Sequence, residues 1–318
     1  MKVKSILVFG AKDHIGSAVA RYVYKHAPGV RLKVATHSSE NLPQLKAMFP
    51  HAEPVVADFF DLNSLIAALD GIEGVFQISP DFFNEDNLVQ NLAQACRQTG
   101  SVKHIIRILG TPPGADFSMI PEVLKIYRYG PAMQHLVAKE NYQRAGLPVT
   151  FINVAGYYMD DFTRMFIQPI INDRAIRIAF DRTLAWIDPT DVAHVAAELL
   201  LKEPNGYFGK LIDVTGQDLC KLSEAAQLFT EVLGVEIRYD GDETRFFNAI
   251  QPVFSEKWGA DTPEYFMNYF KWEMQHDHLF ELTPHVKNIL GRNPKAFNSW
   301  IHEHRDYFLP PIKVLPAA

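Results

Sequence analysis

A loop with two glycines lies near the start of the chain, between an apolar run and a segment with helical periodicity. Gly10 directly follows the apolar run, and Gly16 lies six residues further on. A glycine after a strand allows a tight turn, and it lets backbone N–H groups approach a pyrophosphate at the N-terminus of the next helix. The pattern therefore predicts a dinucleotide-binding loop made of Gly10, Lys12, Asp13, His14 and Ile15.

One residue of this loop departs from the full motif, which has a glycine near the third position after Gly10. This sequence has Asp13 there, between Lys12 and His14. Two negative charges about 5 Å apart repel each other by roughly 3 kcal/mol at an effective dielectric constant of 20, so the carboxylate opposes phosphate binding unless its basic neighbours offset it. Alternatively, Asp13 caps the following helix with its own side chain. We expect a retained but weakened site.

His135 and Lys139 form a second candidate pair. They are four residues apart in a segment with helical periodicity, so they lie on the same face of the predicted helix. Histidine has a reference pKa near 6.5, which suits proton donation at neutral pH. Lys139 could hold the ribose of a nicotinamide nucleotide. Alternatively, both are ordinary polar residues of a helix surface.

The elements that must position these residues alternate along the first half of the chain. The predicted strands span residues 5–9, 31–36, 54–57, 74–78, 103–109 and 149–154. The predicted helices span residues 15–26, 42–48, 62–69, 87–99 and 131–145. Strands rich in valine and isoleucine, separated by helices, indicate an α/β fold with a doubly wound parallel sheet of the Rossmann type. A ligand is then expected at the carboxyl ends of the strands.

The alternation weakens after residue 154. The pattern there predicts helices over 158–167, 189–201 and 222–233, an extended segment over 175–180 and a strand over 210–214. The aromatic-rich region after residue 242 predicts short helices over 262–272, 283–290 and 295–307. We therefore expect a dinucleotide-binding domain and a smaller, mostly helical cap. The first would comprise residues 1–157 and 183–216, and the second residues 158–182 and 217–318.

Composition narrows the classes of partner. Acidic residues outnumber basic ones by 37 to 31, and no dense basic tract occurs, so we expect neither nucleic acid nor a membrane surface as a partner. No apolar run approaches the length of a membrane-spanning helix. Cys96 and Cys220 are far apart, which suggests a reduced, cytoplasmic setting. We expect a small-molecule substrate and a monomer or homodimer.

Metal binding is not expected from the twelve histidines. His276 and His278 are two residues apart, as are His302 and His304, so each pair would point to different faces of a helix. The tryptophans and phenylalanines of the same region are expected to form a core, although an aromatic wall would also suit a flat, apolar substrate.

Six segments of the first 200 residues resemble the NmrA-like family of atypical short-chain dehydrogenase/reductases. Their order and spacing carry the resemblance, and they span residues 6–16, 57–61, 74–80, 102–107, 156–162 and 186–193. The resemblance implies a Rossmann domain that prefers NADP(H). It also implies either reduction of quinones and activated double bonds or sensing of the cofactor without turnover.

Further site residues follow from this resemblance. His37 stands directly after the second strand, where the family commonly has a basic residue. No acidic residue lies between the end of that strand and Glu40, so the site permits a 2′-phosphate on the ribose. Asp58 resembles the family residue near the adenine, although an Asp after a strand is often a turn former. Ser79 ends the fourth strand and is expected to line the nicotinamide side.

The usual catalytic pair of short-chain dehydrogenases is absent. Residues 108–111 read Ile-Leu-Gly-Thr where the serine is expected, and His135 replaces the tyrosine of the Tyr-x-x-x-Lys helix, which keeps Lys139. Tyr157, in the loop after the sixth strand, offers another phenol for proton donation. We therefore take Lys139, His135 and Tyr157 as the candidate catalytic residues.

These features predict an NADP(H)-dependent reductase of a small electrophilic substrate such as a conjugated carbonyl, a quinone or an imine. An acceptor that is already electrophilic needs less acid catalysis, which fits the missing Ser and Tyr. Two alternatives remain open at this point: a cofactor-sensing regulatory protein without turnover, and a non-redox isomerase or cyclase that uses the same cleft.

Overall fold

A computed structural model of the protein describes residues 3–202 and 206–309. The chain divides into two compact units, each built from several segments. Among the described residues, unit 1 contains residues 3–155, 189–202, 206–215 and 283–293. Unit 2 contains residues 156–188, 216–282 and 294–309. The outermost residues of the predicted domains, 1–2 and 310–318, lie outside the described residues.

The strands in chain order are β1 (Ser5–Val8), β2 (Arg31–Thr36), β3 (Glu53–Val56), β4 (Gly74–Gln77), β5 (His104–Leu109), β6 (Val149–Val154), β7 (Tyr157–Tyr158), β8 (Ala175–Arg177), β9 (Thr183–Ile187), β10 (Leu211–Val214), β11 (Asp218–Lys221) and β12 (Arg238–Asp240). The helices are α1 (His14–His26), α2 (Leu42–Met48), α3 (Leu62–Leu69), α4 (Glu85–Thr99), α5 (Glu122–Lys125), α6 (Pro131–Arg144), α7 (Asp161–Arg164), α8 (Ile167–Asp173), α9 (Pro189–Leu201), α10 (Leu222–Leu233), α11 (Glu243–Trp258), α12 (Thr262–Gln275), α13 (His285–Leu290), α14 (Phe297–Glu303) and α15 (Arg305–Phe308).

Unit 1 is built on a seven-stranded parallel sheet in the order β10-β6-β5-β4-β1-β2-β3. The strand order reverses between β1 and β4, which is the point where open α/β sheets bind ligands. Central strands such as β1 and β5 are buried along their whole length, as their apolar composition predicts. The predicted doubly wound Rossmann-type sheet is therefore confirmed.

Helices cover both faces of this sheet. Leu7 packs in one apolar cluster with residues of α3, α4 and α6. Ile6 points to the opposite face because side chains alternate along a strand. On that face a Cβ added at Gly74 would meet Ile6 and Leu200 of α9. Close packing on both faces leaves the strand ends as the exposed edge at which polar loops can gather.

Most elements of unit 1 begin and end within two residues of their predicted bounds. The predicted helix over 158–167 is wrong: Tyr157 and Tyr158 form strand β7, which pairs with β9, and two short helices, α7 and α8, follow. The predicted extended segment over 175–180 is shorter than expected, because β8 ends at Arg177 and Phe180 has a φ of 65°. Both segments pair with strands that are distant in the sequence, β7 with β9 and β8 with β12, and this pairing sets their local structure.

Unit 2 combines small sheets with the helices α7, α8, α10 to α12, α14 and α15. β11, β9 and β7 form one sheet, and β12 and β8 form a parallel pair. An aromatic core surrounds Trp186, whose ring centroid lies 4.9 Å from that of Phe162 and 5.2 Å from that of Phe297. Trp272 and Trp300 are also buried, so the expected aromatic core is present.

In residues 3–202 and 206–309, no helix has the length and apolar character that crossing a membrane would require.

Candidate functional site

The loops that follow β1 to β5 emerge at one edge of the sheet of unit 1, because neighbouring strands run parallel. This edge therefore brings together predicted residues from well-separated parts of the sequence. It collects the loop around Gly10, the side chains of His37 and Asp58, and residue Ser79 at the end of β4. The predicted site is thus assembled by the order of the strands.

The loop after β1 requires both of its glycines. Gly10 has a φ of +68°, a conformation that side chains disfavour, and a Cβ there would lie 2.9 Å from Ile78. At Gly16 a Cβ would lie 2.3 Å from the carbonyl oxygen of Gly10. The first turn of α1 thus packs directly against the backbone of the loop. This is the close approach that a pyrophosphate-binding turn needs.

Asp13 stands at the N-cap position of α1 with an extended backbone, but its side chain makes no capping hydrogen bond. The alternative that Asp13 closes the loop on its own carboxylate is therefore wrong. The side chain is exposed, as is that of Lys12, whose Nζ lies 3.4 Å from the amide oxygen of Asn41. His14 has a φ of 46°. The helix N-terminus keeps its N–H groups, with one exposed negative charge beside them.

His37 and Asp58 occupy neighbouring strand ends. His37 is exposed directly after β2. Asp58 is half-buried after β3, and its Oδ1 accepts a hydrogen bond of 2.9 Å from the N–H of Phe60. Asp58 therefore forms the turn that sequence reasoning gave as the alternative. The helix cap in this loop is Asp61, which accepts from the N–H groups of Asn63 and Ser64.

Ser79 belongs to a buried polar cluster beneath the strand ends. Its hydroxyl donates to Glu85 and accepts from Arg107 Nη2 at 2.8 Å. Arg107 Nη2 also donates to Glu85 Oε1 at 2.7 Å, and both side chains of this ion pair are fully buried. Gln134 Nε2 donates to Glu85 Oε1 at 3.0 Å and to the carbonyl oxygen of Pro80 at 2.7 Å. The cluster joins the end of β4 to β5, α4 and α6.

Several atoms of this cluster have no hydrogen-bond partner among the described residues. They are Nε and Nη1 of Arg107, Oε2 of Glu85, Oε1 of Gln134 and Nε2 of Gln77. The amide oxygen of Gln77 accepts from the hydroxyl of Tyr142, whose pKa burial raises. Buried polar groups are costly when they lose a partner, so the cluster is sensitive to any single change.

His135 and Lys139 lie one turn apart on α6, as predicted. Nε2 of His135 lies 3.4 Å from the point where a Cβ of Gly110 would be, so the imidazole packs beside the loop after β5. Burial, and then the positive charge of Arg107, lower the pKa of His135 to about 3. The imidazole is therefore neutral at pH 7. In the described part of the chain, the side chain of the half-buried Lys139 makes no hydrogen bond or ion pair.

The loop after β5 is held by a residue that sequence reasoning missed. Asn153 of β6 accepts from the N–H of Thr111 at 2.9 Å and donates to the carbonyl oxygen of Thr111 at 3.0 Å. It also donates to Asp213 at 2.6 Å. An amide in a buried, mostly apolar strand was the available signal, because such a group needs partners.

Tyr157 belongs to unit 2, where it joins a second buried cluster. Its hydroxyl donates to Glu273, and Arg182 Nε donates to the same carboxylate at 3.2 Å. The Arg182 guanidinium lies 4.1 Å from the ring centroid of Phe270. Burial, followed by the charge of Glu273, raises the pKa of Tyr157 well above its usual value. The phenol is therefore a weaker acid than an exposed tyrosine.

The sequence matches a known protein family over most of its length. Residues 2–270 match the NmrA-like family. The chain is 24% identical over 313 residues to the (4-alkanoyl-5-oxo-2,5-dihydrofuran-3-yl)methyl phosphate reductase of Streptomyces griseus subsp. griseus, covering 96% of this chain and 99% of the relative.

Two solved structures share the fold across 94% of this chain and 99% of theirs, each with 18% identity. One is the NADPH-dependent quinone oxidoreductase of Escherichia coli in complex with NADPH, with a TM-score of 0.76. The other is the triphenylmethane reductase of a Citrobacter species in complex with NADP(H), with a TM-score of 0.74. The family match extends over most of unit 1 and most of unit 2. The chain belongs to the NmrA-like family.

Proposed function

We propose that the protein is an NADP(H)-dependent reductase of a small electrophilic substrate with a conjugated carbonyl, quinone or imine-like group. The observation that carries this proposal is the edge of the parallel sheet where the Gly10 loop stands at the strand-order switch point. The similar proteins support it, because their names describe reductases, and two were solved with NADPH or NADP(H).

The residues at this edge fit a dinucleotide. The Gly10 turn and the uncapped N-terminus of α1 offer backbone N–H groups to a pyrophosphate. Lys12 and His14 would offset the charge of Asp13, and His37 would face the 2′-phosphate at the end of β2. Asp58 would lie on the adenine side. Ser79 would contribute only its backbone to the nicotinamide side, since its hydroxyl is bound within the buried cluster.

When bound, the nicotinamide cofactor would supply the hydride. Lys139 would hold its ribose, since the Lys139 ammonium makes no other bond within the described residues. His135 would donate a hydrogen bond as a neutral imidazole, and the proton itself would come from another donor, because its pKa of about 3 leaves little imidazolium at pH 7. Such a weak acid suits an acceptor that is already electrophilic. Tyr157 would serve as a further donor, weakened by its bond to Glu273.

Cofactor sensing without turnover is the second candidate function. The exposed carboxylate of Asp13 beside the helix N-terminus favours it, because this charge lowers affinity for a diphosphate. A weakly bound cofactor would report changes in its own concentration.

Cofactor binding and turnover separate these functions. NADPH at about 100 times its dissociation constant should stabilise the folded protein by roughly 2.7 kcal/mol, read as a rise in melting temperature. Consumption of NADPH with a panel of quinones, enones and imines would then favour the reductase. Binding without consumption would favour the sensor. No shift with either NADPH or NADH would contradict both.

Replacement of Lys139 by alanine tests the site on α6. We expect kcat/KM to fall about 10- to 100-fold, since a hydrogen bond from a charged group contributes about 1.5–3 kcal/mol. Lys25→Ala is the matched control, because Lys25 is exposed in the last turn of α1, at the opposite end of that helix from the Gly10 loop. An equal kcat/KM for the Lys139 and Lys25 variants would show that Lys139 has no role in the site.

Replacement of Asp13 by asparagine tests the charge in the loop. Asparagine keeps the shape and the N-cap preference, so the change removes a charge and little else. The carboxylate is exposed, and we expect a modest gain of about fivefold in NADPH affinity, which shrinks as salt is raised. Asp70→Asn, an exposed carboxylate directly after α3, is the control. Unchanged or weaker binding by the Asp13 variant would show that the carboxylate does not face the diphosphate.

A further inference from the structure

Unit 2 contains a pocket between α8 and α11 to which the proposed hydride transfer assigns no role. Its volume is about 620 Å³, within the range of roughly 300–1,000 Å³ that small-molecule sites occupy. Apolar side chains form most of its wall. From the side of α8 these are Phe166, Ile167 and Pro169, and from α11 they are Phe246, Ile250 and Val253.

One part of this wall, the floor, is buried in the core of unit 2, and another part, the rim, is apolar and exposed. Phe246 is fully buried and Ile250 is nearly so, so the floor is fixed by the core of unit 2. The rings of Phe166 and Phe246 lie with their centroids 6.4 Å apart. Val253, in contrast, is 58% exposed. An apolar side chain exposed at the rim of an apolar pocket is typical of a binding surface.

Three cations and one carboxylate line the same pocket. Arg177 is neutralised, because Asp173 lies 2.8 Å from Nη2 and Asp240 lies 2.9 Å from Nε. The carboxylates nearest to Arg164 are 3.6 and 3.8 Å away. Within residues 3–202 and 206–309, the Lys257 ammonium has no carboxylate within 4.0 Å, and it lies 4.2 Å from the ring centroid of Trp258. The pocket therefore carries one positive charge that no side chain of the described residues neutralises.

We propose that this pocket binds an amphiphilic monocarboxylate, with its apolar chain against Phe246 and Ile250 and its carboxylate at Lys257. Volume and apolar wall suit a medium-length chain, and a single unneutralised ammonium selects one negative charge. The inference goes beyond the proposed reductase function, because it concerns residues of unit 2 alone and requires no cofactor.

Binding of octanoate, octan-1-ol and octyltrimethylammonium to the full-length protein tests this assignment. All three share one chain and differ in head-group charge. By isothermal titration calorimetry we expect octanoate to bind at one site per chain. Its affinity should be at least about fivefold higher than that of octan-1-ol, because one ion pair near a protein surface contributes about this much. The cationic analogue should bind more weakly than either. Equal binding of the three, or no binding of octanoate, would overturn the proposal.

Two substitutions locate the site. Lys257→Gln should reduce octanoate affinity to that of octan-1-ol and leave octan-1-ol unchanged. Lys271→Gln is the control, since Lys271 is an exposed lysine of α12 outside the pocket. Val253→Glu places a negative charge at the exposed rim and should also weaken octanoate about fivefold. If octanoate binding is unchanged in both pocket variants, the carboxylate binds elsewhere and the assignment fails. The titrations contain no NADPH, so this failure is independent of the reductase proposal.

Discussion

Replacement of Arg107 by methionine should lower the free energy of unfolding by about 3–5 kcal/mol. The methionine fills much of the space but leaves the Glu85 carboxylate buried without its countercharge, since both members of the pair have no exposed surface. Ser79 and Gln134 would remain as hydrogen-bond donors to Glu85, but neither carries a charge. Polar atoms of Gln77, Glu85 and Gln134 also lack partners among the described residues of this region, and within those residues Arg107 alone forms an ion pair with Glu85.

A double-mutant cycle identifies the cause. Adding Glu85→Met to Arg107→Met should recover most of the lost stability, because a buried ion pair replaced by apolar groups is often neutral. Arg144→Met is the control, because the ion pair of Arg144 with Glu140 is exposed and should contribute less than about 1 kcal/mol. Urea unfolding should be followed by circular dichroism, because the tryptophans lie in unit 2. A loss in Arg107→Met no larger than that in Arg144→Met would contradict the expectation.

Replacement of Gly16 by alanine should cost about 3 kcal/mol of stability and weaken NADPH binding. The new Cβ would lie 2.3 Å from the Gly10 carbonyl oxygen and 2.7 Å from that of Phe9, and neither backbone atom belongs to a flexible side chain. Helix α1 must move away from β1 to relieve the contact, which combines overpacking with loss of the loop geometry. Alanine has the higher helix propensity, so the sign of the effect rests on this contact alone.

Gly29→Ala is the matched control, because nothing lies within 4 Å of a Cβ at Gly29 and its φ is not positive. We expect a change within about 0.5 kcal/mol there. Urea unfolding measures both variants, and fluorescence titration with NADPH measures the loop. A stable Gly16→Ala protein with unchanged affinity would show that α1 can shift at no cost.

Local patterns predicted unit 1 better than unit 2 for a physical reason. β1 and α1 are specified by a buried apolar run, a glycine and helical periodicity, all within residues 5–26. β7, by contrast, exists because Tyr157 pairs with Trp186, and β11 because Asp218 pairs with the same residue on the other side of β9. Such pairings depend on residues far apart in the chain, and no local period indicates them.

The candidate site was predictable where glycines and strand ends define it, but not where charges are buried. The loop at Gly10 and the turn that joins His135 to Lys139 follow from spacing alone. Glu85 and Gln134 are polar helix residues, and the sequence alone gives no reason to expect them in the core. The structure shows that both are fully buried. Arg107 was the residue from which the buried cluster could have been predicted, because a cation within the apolar run of β5 requires a buried partner.

The sheet order has a consequence for the synthesis of the chain. β10, which covers the outer edge of β6, lies about 60 residues further along the sequence. Ribosomes add about 5–20 residues per second, so the unpaired edge of β6 waits roughly 3–12 s for its partner. An exposed strand edge can pair with another chain. Nascent copies of this protein therefore expose the unpaired edge of β6 between the emergence of Val154 and that of Val214.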